Sequence, residues 1–72
     1  MDKEKFYSTV YKLIEDYFTN FRKKPSYLMV NPQCDLSTFM DQDDLKQYQN
    51  NKFKGMLIVR DSDLSQDKLV VY

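Results

Sequence analysis

The sequence predicts a small α+β domain in which an N-terminal amphipathic helix packs on a three-stranded sheet, in the order α-β-α-β-β. Two observations predict this class. Apolar residues recur at helical spacing over residues 6–21, and three short apolar runs follow at residues 27–30, 55–60 and 69–72. A chain of 72 residues holds one domain, residues 1–72, and buries about 60% of the surface that its unfolded form exposes. We therefore expect a single domain of marginal stability.

The first helix is predicted from the spacing of its large side chains. Its apolar positions are Phe6, Val10, Leu13, Ile14, Tyr17, Phe18 and Phe21. This spacing of three and four residues places them on one helical face. Asp2 suits the N-cap position, and Pro25 ends the helix because the residue before a proline is disfavoured in helical conformation. Tyr7 and Tyr11 widen the apolar stripe beyond what one small sheet covers.

The middle of the chain predicts a strand followed by helical residues. Residues 27–30 form a short apolar run, and Asn31-Pro32 then suit the N-cap and the first position of a new helix. Four polar residues, 41–44, interrupt the apolar pattern that follows. Whether residues 32–49 form one helix or two therefore stays open.

The last twenty residues predict two closing strands that form a hairpin. Met56 and Ile58 point to one side of the sheet, whereas Leu57 and Val59 point to the other, and all four are apolar. A sheet that is apolar on both faces requires cover on both sides. Two helices offer too little cover for it, so we expect an apolar face to remain open.

This apolar excess predicts a non-enzymatic protein-interaction or assembly module. The expected partner is another protein or a second copy of the chain, because small domains gain stability by associating. The candidate interaction surface consists of Tyr7, Tyr11, Leu57, Val59, Val70 and Tyr72.

The composition argues against an enzyme. The chain has no histidine, which is the commonest general base, and its single glycine is too few for a phosphate-binding loop. We expect Cys34 to be a structural filler, and the aspartates of residues 41–44 and 61–67 to make turns and caps rather than bind metal. No catalytic, cofactor-binding or metal-binding residue is therefore predicted.

The alternative function is that of a nucleic-acid-associated accessory protein. Its candidate patch consists of Arg22, Lys23, Lys24, Lys52 and Lys54. Cations hold phosphates and nearby aromatic rings stack on bases, but the chain balances 11 basic against 11 acidic residues, so no global field favours nucleic acid. The helix dipole also accounts for cations at a helix end.

No membrane partner is expected, because no apolar stretch approaches the ~20 residues that span a bilayer. The N-terminus opens on charged residues and lacks the apolar core of a signal peptide, and the single cysteine cannot form an internal disulfide. We therefore expect an intracellular, cytoplasmic protein.

Residues 25–72 also carry a pattern of apolar, proline and glycine positions. It reads Pro25-x-x-Leu28-x-Val30-Asn31-Pro32, then Phe53-x-Gly55-Met56-x-x-Val59, Leu64 and Leu69-x-Val71. This pattern resembles a strand-helix-hairpin segment of tailed-phage major capsid proteins. The resemblance implies a small phage or mobile-element protein with an assembly or interaction role, and it assigns no functional residue.

Overall fold

The computed structural model describes residues 2–72 and shows an α+β fold. Its helices are α1 (Lys3–Phe21), a 3-10 helix (Leu36–Phe39) and α2 (Gln42–Tyr48). Its strands are β1 (Tyr27–Val30), β2 (Lys52–Phe53), β3 (Met56–Arg60) and β4 (Val70–Val71). The predicted class and the N-terminal helix are confirmed, whereas the predicted number of strands is wrong because the sheet has four.

Helix α1 begins and ends at residues with clear local reasons. The Asp2 side chain caps it by accepting a hydrogen bond of 2.7 Å from the Lys5 N–H. Arg22 ends it in a left-handed conformation with φ 58°, and its N–H donates to the Phe18 carbonyl. Within the helix, Phe6 and Val10 are fully buried, while Phe18 and Phe21 near its end are exposed. Only the first half of α1 therefore contributes fully buried side chains to the core.

The closing strands do not form the predicted hairpin. The sheet order is β2-β3-β1-β4, with β1 and β3 parallel and β4 antiparallel to β1. Nine residues separate β3 from β4, which is long for a tight hairpin. This connection passes the end of β1, where the Asn31 Nδ2 donates to the Leu64 carbonyl at 2.7 Å. It thereby carries β4 to the far edge of the sheet.

The additional strand, β2, arises from a two-residue turn. Lys54 and Gly55 both have positive φ, 51° and 82°, which is the conformation of a type I′ turn. The turn pairs Phe53 with Met56 in an antiparallel hairpin. Gly55 is therefore a turn residue, and the strand predicted over residues 55–60 begins at Met56.

The segment after β1 contains two separate helices. Asn31 does not start a helix; its side chain accepts from the Gln33 N–H at 2.8 Å and closes a local turn. The 3-10 helix starts at Leu36 instead, capped by Asp35, which accepts from the Ser37 N–H. The predicted helix start at Asn31-Pro32 is therefore wrong, and the question left open for residues 32–49 is resolved as two helices.

The core lies on one side of the sheet. Its buried apolar residues are Phe6, Val10, Leu28, Val30, Leu36, Met40, Phe53, Met56 and Ile58. They come from the helices and from alternate positions of the strands, as a two-layer arrangement requires. The helices between residues 3 and 48 thus cover one face of the sheet and leave the other exposed.

Candidate interaction surface

The exposed side of the sheet is an apolar surface that we call the open sheet face. It consists of Tyr27, Met29, Leu57, Val59, Val70 and Tyr72. These residues point away from the core because successive side chains of a strand alternate between its two faces. Their neighbours along the strands, such as Leu28 and Ile58, are buried.

The strand register arranges the open sheet face as two rows of three side chains. Tyr27 lies between Leu57 and Tyr72 in one row, and Met29 lies between Val59 and Val70 in the other. Since neighbouring strands are about 4.8 Å apart, each row is about 10 Å wide. The outcome is a continuous apolar surface.

A pair of tyrosines fixes one corner of this surface. The backbones of Tyr27 and Tyr72 exchange two hydrogen bonds, of 2.8 and 3.0 Å. Their rings stack with centroids 4.9 Å apart and planes 24° apart. Such a cross-strand aromatic pair restrains both side chains, so this part of the surface is preorganised for contact.

The exposure of the face is substantial. Tyr27, Leu57, Val70 and Tyr72 keep 38%, 40%, 38% and 41% of their surface accessible, while Met29 and Val59 are half-buried. None of the six side chains is charged. Lys52 borders the face as the cross-strand neighbour of Leu57. An uncharged apolar patch with a polar border has the composition of the centre of a protein interface.

The structure divides the predicted interaction surface in two. It brings Leu57, Val59, Val70 and Tyr72 together on the open sheet face, but it places Tyr7 and Tyr11 on α1, which packs on the opposite side of the sheet. Tyr27 and Met29 complete the face and were missed by the sequence analysis. Their alternation with Leu28 and Val30 was the signal that could have identified them.

Tyr7 belongs to a polar cluster around a buried carboxylate. Asp44 is 5% exposed, accepts a short hydrogen bond from the Tyr7 hydroxyl, and lies 3.5 Å from the Lys54 ammonium. The Tyr7 hydroxyl also accepts from the Asp41 N–H at 2.9 Å. Asp44 is therefore a buried group that links α2 to α1 and to the β2–β3 turn, whereas Asp41, at the N-cap position of α2, fits the expected turn-and-cap role.

The electrostatics of this cluster follow from burial and from Asp44. Burial, together with the hydrogen bond to Asp44, raises the pKa of Tyr7 to about 12. For Lys54, burial lowers the pKa, but Tyr11 and Asp44 outweigh that effect and raise it. The Lys54 ammonium also lies 5.6–6.0 Å from the ring centroids of Tyr7, Tyr11 and Phe53. The arrangement stabilises a neutral phenol and a charged lysine.

The predicted nucleic-acid patch is not assembled in one place. Lys54 lies against Tyr11 of α1. Arg22 follows Tyr11 by eleven residues, which corresponds to about 16 Å along the helix axis. Arg22, Lys23 and Lys24 are exposed beyond the end of α1. A nucleic-acid interface would therefore have to rest mainly on these three consecutive cations.

The remaining candidate groups have structural surroundings. Cys34 is half-buried, and burial raises the pKa of its thiol. The Asp61 side chain accepts from the Asp63 N–H at 2.9 Å, which is an Asx turn. Within residues 2–72, no three histidine, cysteine or acidic side chains converge on a metal-sized site.

The helices of residues 2–72 are also too short or too polar to cross a membrane. No protein-family model, curated protein or solved structure matches the chain. The resemblance to phage capsid proteins therefore stays a prediction, and the open sheet face has to be interpreted from its own chemistry.

Proposed function

We propose that this chain is a non-enzymatic interaction module that associates with a second copy of itself through the open sheet face. The observation that carries the proposal is the uncharged apolar surface formed by Tyr27, Met29, Leu57, Val59, Val70 and Tyr72. Exposed apolar patches of this continuity on small proteins mark interaction sites.

The total surface area is slightly larger than that of a typical monomer of this mass. A compact monomer of 8.7 kDa is expected to expose about 4,700 Å². The chain exposes 5065 Å². Exposed apolar side chains occur on the open sheet face and at the end of α1, where Phe18 and Phe21 are exposed.

Charge favours a second copy as the partner. The chain carries 11 basic and 11 acidic residues, so two copies have no net repulsion to overcome, and a net charge near zero promotes association. The open sheet face has no charge that a twofold arrangement would bring against itself. Two such faces can pack at about 10 Å, as the sheets of a β-sandwich do.

The expected dimer is weak. Burying an aliphatic or aromatic side chain completely stabilises by about 1.5–3 kcal/mol, and the four most exposed side chains of the face have about 40% of their surface left to bury. Eight such side chains in a dimer contribute about 5–10 kcal/mol, and about 4 kcal/mol remains after an association cost near the low end of its range of about 4–15 kcal/mol. A Kd on the order of 1 mM follows. Such contacts become effective when several copies are held in one assembly, which agrees with the assembly role that the resemblance suggests.

A concentration series tests the proposal. Light scattering from 0.1 to about 3 mM should show a molar mass that rises toward that of a dimer. Leu57→Lys places a charge on the face and should weaken association at least tenfold, because a buried charge without a partner is strongly unfavourable. Phe18→Lys is the matched control, since Phe18 is 48% exposed but lies on α1.

Three outcomes would count against the proposal. One is a strict monomer at 3 mM, and another is a dimer that Leu57→Lys leaves intact. The third is a monomer that binds mixed DNA and RNA with strong salt dependence, which would favour the nucleic-acid alternative based on Arg22, Lys23 and Lys24.

A further inference from the structure

A cavity of about 220 Å³ opens on the helical side of the sheet, away from the open sheet face. It lies between the 3-10 helix and the connection that leads into β4. Its lining residues are Phe6, Cys34, Phe39, Gln66, Asp67 and Leu69. The cavity is therefore separate from the surface that carries the proposed self-association.

The walls of the cavity are apolar and partly aromatic. The rings of Phe6 and Phe39 stack with centroids 5.3 Å apart and planes 21° apart. Phe6 is fully buried, so the surrounding core holds its ring in place. Cys34 adds a thiol whose pKa is raised by burial, and a neutral thiol behaves as a small apolar group. These walls fit a flat apolar body.

The mouth of the cavity offers hydrogen-bond acceptors. The Gln66 Nε2 donates to the Gln33 side chain at 2.6 Å, which leaves the Gln66 carbonyl oxygen available. The Asp67 carboxylate has no ion pair with any cation among residues 2–72. Two acceptors, one of them charged, therefore border an apolar space, and this combination complements a cationic donor.

We propose that this cavity binds a small aryl-alkyl amine, with its ring against Phe39 and Leu69 and its ammonium group at the mouth beside Asp67. The volume sets the size of the ligand, because a cavity of about 150 Å³ accommodates benzene. A space of 220 Å³ then holds a body of about nine carbon atoms. The proposal does not depend on self-association.

Binding would also stabilise the fold. A domain of 72 residues has little stability to spare. A bound ligand adds contacts with Phe39 and Leu69, which are only partly buried. We therefore expect ligand binding and thermal stability to rise together.

The test uses 2-phenylethylamine, which has eight carbon atoms and is a cation at pH 7, with phenylacetate as an anion of similar size. Amide chemical shifts of the full chain are followed by NMR at about 50 μM protein, where fewer than about 10% of the chains would be in the proposed dimer. The amine should bind saturably with a Kd on the order of 1 mM, with shifts centred on Phe39 and Leu69, while phenylacetate should bind at least tenfold more weakly.

Substitutions at Asp67 and Leu69 separate the contribution of the charge to amine binding from that of the cavity space. Asp67→Asn should weaken amine binding about threefold to tenfold, whereas Asp63→Asn, in the same connection but outside the cavity, should leave it unchanged. Leu69→Trp should fill the cavity and abolish binding. Because Asp67 is exposed, its variant should fold even if Leu69→Trp does not.

The proposal is overturned if amine binding fails to saturate by 20 mM or if the shifts centre away from the cavity. It is also overturned if phenylacetate binds as tightly as the amine, or if Asp67→Asn and Asp63→Asn behave alike. The titration is repeated in Leu57→Lys, which should bind the amine normally. Failure of amine binding is thereby distinguishable from failure of self-association.

Discussion

The clearest energetic prediction concerns the hydroxyl of Tyr7. Tyr7→Phe removes the donor to the buried Asp44 carboxylate and the acceptor of the Asp41 N–H. The ring remains, so its contacts with Phe6, which lies 5.5 Å away between centroids, and with Phe53 should persist. The substitution therefore isolates the hydrogen bonds from the packing.

The expected loss of stability follows from the charge and burial of Asp44. A hydrogen bond to a charged group contributes about 1.5–3 kcal/mol. Asp44 is 5% exposed, so water cannot readily replace the lost donor, whereas Lys54 at 3.5 Å still compensates part of its charge. We expect the free energy of unfolding to fall by about 2 kcal/mol, which lowers Tm by about 8–16 °C for a domain of this size.

Alkaline pH provides an independent signature of the same bond. The pKa of Tyr7 is raised to about 12 from an ordinary value of 10.0, so the native state retains this proton more tightly than the unfolded state does. The stabilisation is complete below pH 10 and is lost as pH rises from about 10 to about 12. The slope of stability against pH in this interval should be shallower in Tyr7→Phe than in the wild type.

Urea unfolding followed by circular dichroism, at pH 7 and then from pH 9 to 11.5, measures both effects. Tyr17→Phe is the matched control, because the Tyr17 hydroxyl has no hydrogen-bond partner within the described part of the chain. A Tyr7→Phe variant within 0.5 kcal/mol of the wild type, or one with an unchanged alkaline slope, would refute the reasoning.

Two further substitutions test local structure by denaturant unfolding. Arg60→Lys should lower the free energy of unfolding by about 1–2 kcal/mol, because one ammonium cannot reproduce the hydrogen bonds of the guanidinium. These bonds go to the Asn31, Pro32 and Cys34 carbonyls and to the Tyr48 hydroxyl. An unchanged free energy of unfolding would contradict this prediction. Gly55→Ala should cost about 1 kcal/mol from its φ of 82° alone, since an added Cβ there meets no atom within 4 Å. A decrease in the free energy of unfolding above 3 kcal/mol would show that steric contact of the added Cβ, rather than backbone conformation, causes the destabilisation.

The sequence predicted the elements whose signals are local. The spacing of Phe6 and Val10 identified α1, Asp2 identified its start, and the apolar run of residues 27–30 identified β1. In each case the deciding interaction lies within a few residues along the chain. These predictions were correct because tertiary contacts reinforced the local preference.

The errors of topology concern pairing between distant strands, whereas the helix start predicted at Asn31-Pro32 and the missed Lys54-Gly55 turn are local errors. Neither apolar periodicity nor length shows that β3 pairs in parallel with β1 and that β4 crosses to the other side of β1. The Lys54-Gly55 turn was missed because its first residue is a lysine, whereas the common type I′ turns begin with asparagine, aspartate or glycine. Lys54 adopts this conformation where its ammonium lies close to Asp44 and to three aromatic rings.

The location of the open sheet face follows from topology as well as composition. The parallel pairing of β1 and β3 requires a crossover, and this connection contains the 3-10 helix and α2. The contact of Phe39 with Phe6, and that of Asp44 with Tyr7, place both helices on the side of the sheet that α1 already covers. All three helical segments of residues 2–72 therefore lie on one face of the sheet, and none of them covers the other face. The apolar excess seen in the sequence is therefore concentrated on a single surface, where a substitution such as Leu57→Lys can test its role without disturbing the core.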